Sequence, residues 1–282
     1  MDQENDEARV GLKLYLNSLS YFQKWYMICR ASSKDNFSTW TDIKLIECYN
    51  EQINNLPMIY DYTIESGVIY MYGVQEYDPD TGVRGVLNKT MVPVFRDFHY
   101  AYLLGEDGRQ LKLQFNNNVS SYGYVYSEGM QTTLGGTYPF IMRNGNTKYR
   151  TFPISGLISF NMDDQETFTD LIDLYKNSEL VNMYQAIKRH YGIGMYDYKL
   201  EHDFREKVIE FLQDGKPKLF KSASEGNIII RLTGVTEQPN QSLDRMIYSF
   251  NAIATEQAEA TMENYYKYKF YSIGNEGDGG KL

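Results

Sequence analysis

Between residues 42 and 160 apolar and polar positions alternate repeatedly with a period of two, the mark of strands with one covered face. Residues 59–65 and 68–75 are aromatic and β-branched runs separated by Ser66-Gly67, which predicts a hairpin. Tyr77-Asp78-Pro79-Asp80-Thr81-Gly82 predicts a second turn. A longer pair spans 94–104 and 109–115, joined around Asp107-Gly108. In its second half Leu111, Leu113 and Phe115 alternate with Gln110, Lys112 and Gln114, one face buried and one wet. Asn116-Asn117-Asn118 breaks that run, Tyr122, Tyr124 and Tyr126 resume period two, and Gly135-Gly136 closes the segment. Residues 148–160 read as extended, with Pro153 marking an edge or a bulge. The first forty residues leave the element type open: Leu12, Leu14 and Leu16 space like a strand, Leu19, Phe22 and Tyr26 like a helix face.

The middle changes period. Phe168, Leu171, Ile172 and Tyr175 fall at helical spacing, and 179–190 carries Leu180, Val181, Tyr184 and Ile187. The strongest helix covers 203–213. Asp203 and Glu206 resemble a capping box, Phe204, Val208, Phe211 and Leu212 make the core-facing stripe, and Gly215 and Pro217 stop it. Ile228-Ile229-Ile230 then predicts a strand covered on both faces, Gln238-Pro239-Asn240 a turn, 246–254 another alternating strand, and 258–268 a short helix. The fold class expected is mainly β with flanking helices (α+β), with a helical excursion at 163–200 that stays part of one domain. The expected division is an N-terminal arm at 1–41, one domain at 42–272, and a flexible glycine-rich tail at 273–282.

Composition narrows the function. The 282 residues carry 28 basic and 37 acidic side chains, a net charge of −9, which argues against a protein that grips nucleic-acid phosphates over its whole surface. No apolar run approaches a membrane span, the acidic start is unlike a secretory signal, and two cysteines are too few for a disulfide framework. Twenty-six tyrosines suit half-buried sheet faces or subunit interfaces. His99, His190 and His202 stand apart, with no metal-ligand spacing, nucleophile elbow or phosphate-binding loop, and His99 reads as a packed or surface residue. Asp163, Asp164 and Glu166 read as an acidic helix start and Lys216, Lys218 and Lys221 as charge at a helix end. The expectation is no enzyme, no catalytic residue, no cofactor and no metal.

Three blocks carry a resemblance. They are Tyr138-Pro139-Phe140-Ile141-Met142-Arg143-Asn144-Gly145 with Tyr149-Arg150-Thr151-Phe152-Pro153-Ile154-Ser155-Gly156-Leu157-Ile158-Ser159; the stretch from Phe204 through Lys216-Pro217-Lys218-Leu219-Phe220 to Ile228-Ile229-Ile230-Arg231-Leu232; and Arg245-Met246-Ile247-Tyr248-Ser249-Phe250-Asn251-Ala252. Together they resemble distal-tail or baseplate-hub proteins of tailed bacteriophages, built on the tail-tube fold, a β-barrel or sandwich flanked by a helix. The resemblance implies a virion protein assembled in the bacterial cytoplasm, forming a homo-oligomeric ring, six-fold by family. Its partners are then its own copies and other tail and baseplate proteins, with viral DNA only in transit through the lumen and no membrane insertion. Edge strands make such rings, and Tyr100, Tyr102 and Leu103, far out on the 94–115 hairpin, are the candidate seam, though the same residues suit a core. The alternative function is a β-sandwich carbohydrate-binding module of a tail appendage, with Tyr122, Tyr124 and Tyr126 on one face as the platform; a core face is the plainer reading of those three.

Overall fold

The computed structural model describes residues 8–12, 24–48, 59–90, 92–106, 108–113, 121–131, 140–158, 198–242 and 245–270. Its strands are β1 (Val10–Leu12), β2 (Lys24–Ser32), β3 (Thr41–Cys48), β4 (Ile59–Asp61), β5 (Ile69–Tyr77), β6 (Asn88–Lys89) and β7 (Val94–Phe95). There follow β8 (Ala101–Leu104), β9 (Gln110–Leu113), β10 (Gly123–Gln131), β11 (Phe140–Ile158), helix α1 (Tyr198–Gln213), β12 (Lys218–Ser222), β13 (Gly226–Ser242), β14 (Arg245–Ala258) and helix α2 (Met262–Lys267). The protein is mainly β, and among the described residues its sheets are open, not closed into the expected barrel. None of these helices is long and apolar enough to cross a membrane. The excursion expected at 163–200 lies outside the described residues up to 197, as do the acidic cluster at 163–166 and the tail at 273–282.

The chain divides into two compact units, where the sequence suggested one domain from residue 42. Unit 1 gathers Met1–Gln110, Leu219–Asn227 and Ala260–Leu282. Its larger sheet is antiparallel in the order β3-β2-β5-β6, with β7 also on β5. The expected boundary at 42 therefore cuts through a sheet: β2 stands between β3 and β5 because Ile28, Cys29 and Ala31 are buried. The expected hairpin at 59–75 does not form. β4 pairs with β1 and β5 with β2, while Ser66-Gly67 is tied to another segment: Gly67 N–H donates to Arg96 O (2.8 Å) and Phe98 N–H to Ser66 Oγ (2.8 Å). The turn at 78–82 forms as expected, with the Asp78 carboxylate accepting from Asp80 N–H and the Thr81 hydroxyl. His99 lies in a bend between β7 and β8, outside the strand anticipated for it.

Unit 2 comprises Leu111–Lys218 and Ile228–Glu259. Four long antiparallel strands run in the order β10-β11-β14-β13. Along β11 the even positions Phe152, Ile154, Gly156 and Ile158 are buried, and Ala252, Ala254 and Phe250 lie opposite on β14. Pro153 sits two residues past Thr151, the last residue that β10 pairs, where its missing N–H breaks no ladder bond to β10. The expected turn at 238–240 is instead strand, since Pro239 pairs with Tyr248 and the ladder runs on to Ser242 and Arg245.

Helix α1 starts at Tyr198, so Asp203 is its sixth residue and not its cap. The stripe is as anticipated: Phe204, Val208, Phe211 and Leu212 are each at most 1% exposed. Arg205 fixes the helix over β13 and β14, its Nε 3.1 Å from Glu237 Oε1 and its guanidinium 4.1 Å from the Tyr248 ring centroid. Beyond the helix Gly215 takes φ +69°, a conformation that favours glycine, and the chain turns into β12.

Candidate functional site

Unit 1 holds a cluster of polar side chains in its interior. Arg30 on β2 and Asp61 at the end of β4 form a buried ion pair, Nη1 to Oδ2 at 2.7 Å. Asp61 Oδ2 also accepts from the Tyr72 hydroxyl (2.9 Å), and Oδ1 accepts from Thr63 N–H (2.9 Å) and the Thr63 hydroxyl (2.8 Å). Burial alone raises a carboxyl pKa. Here the Arg30 charge and the bonds from Thr63 and Tyr72 outweigh it, and Asp61 is held below the ordinary carboxylate value. Burial and the Asp61 charge together push Tyr72 well above the ordinary phenol value. Every group faces a protein partner, so the cluster is a fastener between β2, β4 and β5.

Of the three lysines read as charge at the helix end, Lys216 is exposed and the other two are not. Lys218 and Lys221 are 1% and 0% exposed. The Lys221 ammonium donates to the carbonyls of Ala8 and Tyr62 and lies 5.0 Å from the Phe98 ring centroid. The Lys218 ammonium bonds Asp214 (2.5 Å), 4.4 Å from the Phe211 ring. Sequence patterning missed both because a lysine every third or fourth residue after a helix reads as solvated, whereas buried backbone carbonyls also require donors.

The candidate seam also moves. Tyr100 is 39% exposed, but Tyr102 and Leu103 are 3% and 0% exposed. The reason is pairing: Tyr102, Leu103 and Leu104 stand opposite Lys221, Phe220 and Leu219 of β12, so their strand lies inside unit 1. Two of the three expected interface residues are therefore core.

The surface feature with most chemistry is on unit 2, where its covered face emerges. Continuing the even register of β11 outward from Phe152 gives Arg150, half-buried, and then Lys148, exposed. The residues of this face are Tyr122, just before β10, and Tyr124 and Tyr126 on it, with Tyr124 opposite Arg150 and Tyr126 opposite Lys148. Tyr122 still belongs to the core end, its ring centroid 5.1 Å from that of Phe152. Tyr124 is 53% exposed, so the core reading fails there. Arg150 is bound by Glu256 of β14 through two side-chain bonds of 3.1 Å and one from its own N–H. Burial raises the Glu256 pKa, but the bonds from Arg150 and the charges of Arg150 and Lys148 leave it lowered, so the pair stays ionic at neutral pH. The Lys148 ammonium lies 4.8 Å from the Tyr124 centroid and 5.8 Å from that of Tyr126, within cation–π range of both. The sequence signal for this partnership was Lys148 and Arg150 two apart in an extended run, which only the register to β10 makes meaningful.

Among the described residues β10 is also the outermost strand of its sheet, with one side of it open to pairing by another chain. Met130 on it and Ile253 on β14 are exposed. Among the described residues no three His, Cys, Asp or Glu side chains are arranged to hold a metal ion. The chain matches no protein-family model and no curated protein.

Proposed function

We propose that the protein is a structural subunit of a bacteriophage tail, forming a homo-oligomeric ring at the distal tail or baseplate hub. The ring continues the DNA channel and anchors host-recognition parts, and the tail-tube fold and virion location belong to the same proposal. The observation that supports it best is where the resembling blocks fall. They lie mostly on α1, β11, β13 and β14, the helix and long strands of unit 2, and among the described residues that sheet ends at β10 with one side unpaired. A ring meets the hazard of such an edge by letting each copy extend its neighbour's sheet. Because Tyr102 and Leu103 are buried, β10 replaces the 94–115 hairpin as the seam in this reading. Head-to-tail contacts of this kind close only when the rotation between copies divides a full turn.

Imaging of tailed particles labelled on this protein tests the proposal. A six-fold ring at the distal end is expected. One copy per tail, or copies scattered on fibres, overturns it. A monomer in solution does neither, since a neighbouring ring can template assembly.

A further inference from the structure

We propose that the face formed by Tyr124, Tyr126 and Lys148 on β10 and β11 binds an acidic polysaccharide, a chain of uronic acid residues. The inference does not depend on ring formation. It starts from the way the covered face of unit 2 runs out into solvent while keeping its aromatic side chains. Tyrosines two apart on a strand repeat at about 6.5–7 Å and share a face. A pyranose lays its C–H face on such a ring, burying apolar surface from both. Tyr124 is the ring open for this, with more than half its surface in water.

Charge selects the kind of sugar. Lys148 stands over the Tyr124 and Tyr126 rings, and among the described residues no carboxylate lies within ion-pair distance of its ammonium. Arg150 beside it is already neutralised by Glu256. The platform thus sets one exposed ammonium beside two rings, and an acidic sugar chain supplies both a pyranose face for the rings and a carboxylate for the ammonium. Nucleic acid is the poorer fit. Its bases can stack on tyrosine but it has no pyranose face to lay on the ring, so single-stranded poly(dT) is the competitor that the test must exclude.

Native-gel affinity electrophoresis of the full chain provides the test, with polygalacturonate, neutral dextran or poly(dT) cast into the gel. Polygalacturonate is expected to retard the wild type most. Lys148→Gln should weaken that retardation up to about fivefold, the ceiling for one exposed ion pair, and salt should weaken the wild type in the same way. Tyr124→Ala should abolish retardation by polygalacturonate and dextran alike. Both positions are exposed, and far-UV circular dichroism establishes that each variant folds. No retardation of the wild type by polygalacturonate overturns the proposal. So does retardation of both variants equal to wild type, or preferential binding of poly(dT). The particle images that test the ring are a separate readout, so either idea can fail alone.

Discussion

Asp61→Asn tests whether the buried cluster of unit 1 holds β2, β4 and β5 together. The change removes the charge that balances Arg30 and turns one acceptor oxygen into an NH2 donor. If the amide faces Arg30, the guanidinium and the Tyr72 hydroxyl both lose their acceptor; if it faces Thr63, a backbone N–H does. A charge-assisted bond contributes about 1.5–3 kcal/mol and a stranded buried donor costs about 1–3 kcal/mol. Together the two costs come to about 2.5–6 kcal/mol, and the loss expected is about 3–5 kcal/mol, the size seen when one member of a buried pair is removed. The assay is already in the chain: Trp25 and Trp40 are the two tryptophans, and both belong to unit 1, so tryptophan fluorescence in a urea titration follows that unit. Arg30→Met with Asp61→Leu should lose less than Asp61→Asn alone, since no charge is then left buried. The pH dependence has a definite sign. With its folded pKa lowered, Asp61 stabilises the protein above the unfolded value of about 3.9 and stops doing so as pH falls through the folded value. Asp61→Asn should therefore flatten the acid limb of stability against pH. A loss below about 1 kcal/mol, with an unshifted fluorescence midpoint, would refute the reasoning.

Phe211→Ala, at a fully buried position of α1, should cost about 3–5 kcal/mol in a titration followed by circular dichroism; a loss under about 1 kcal/mol would mean the stripe is not core. Gly156→Ala places a methyl 2.9 Å from the Phe250 ring and 3.3 Å from Leu113 Cδ2, so overpacking of about 1–3 kcal/mol is expected by the same titration. Burial, with Asp42 beside it, pushes the Cys29 thiol up to about 12, and burial pushes Cys48 up to about 11. Neither should react with a thiol reagent at pH 8 until urea unfolds unit 1, which a colorimetric count of released thiolate follows.

What could be read along the chain was local. The 78–82 turn shows in Asp, Pro and Gly because the side chain of Asp78 closes it within three residues. The stripe of α1 shows because helical spacing needs no partner to be visible, although its start was misplaced: Asp203 and Glu206 imitate a cap five residues inside the helix. Pairing was hidden wherever the partner is distant. β4 takes β1, some fifty residues earlier, and nothing in Ser66-Gly67 distinguishes a hairpin from a turn tied to Arg96 and Phe98. β2 escaped because it is paired on both sides and Ile28, Cys29, Arg30 and Ala31 are buried in succession, so no period of two shows along it. The lysines and tyrosines of the sites were ambiguous for one reason. Both combine an apolar body with a polar tip, so spacing alone fits core and surface equally.

The Lys221 ammonium bridges to Ala8 across 213 positions of sequence, and Arg30 meets Met262 across 232. During synthesis this sets an order of events. At about 5–20 residues per second, the segment around Ala8 waits on the order of 10–40 s before the lysine that holds it exists. Throughout that time unit 1 lacks β12 and α2, while Leu111–Lys218 of unit 2 is translated; Ile228–Glu259 of unit 2 and then α2 follow. Unit 2 has all of its chain once Glu259 is made, before α2 of unit 1, so a chain halted just past Glu259 should have unit 2 complete and unit 1 still open.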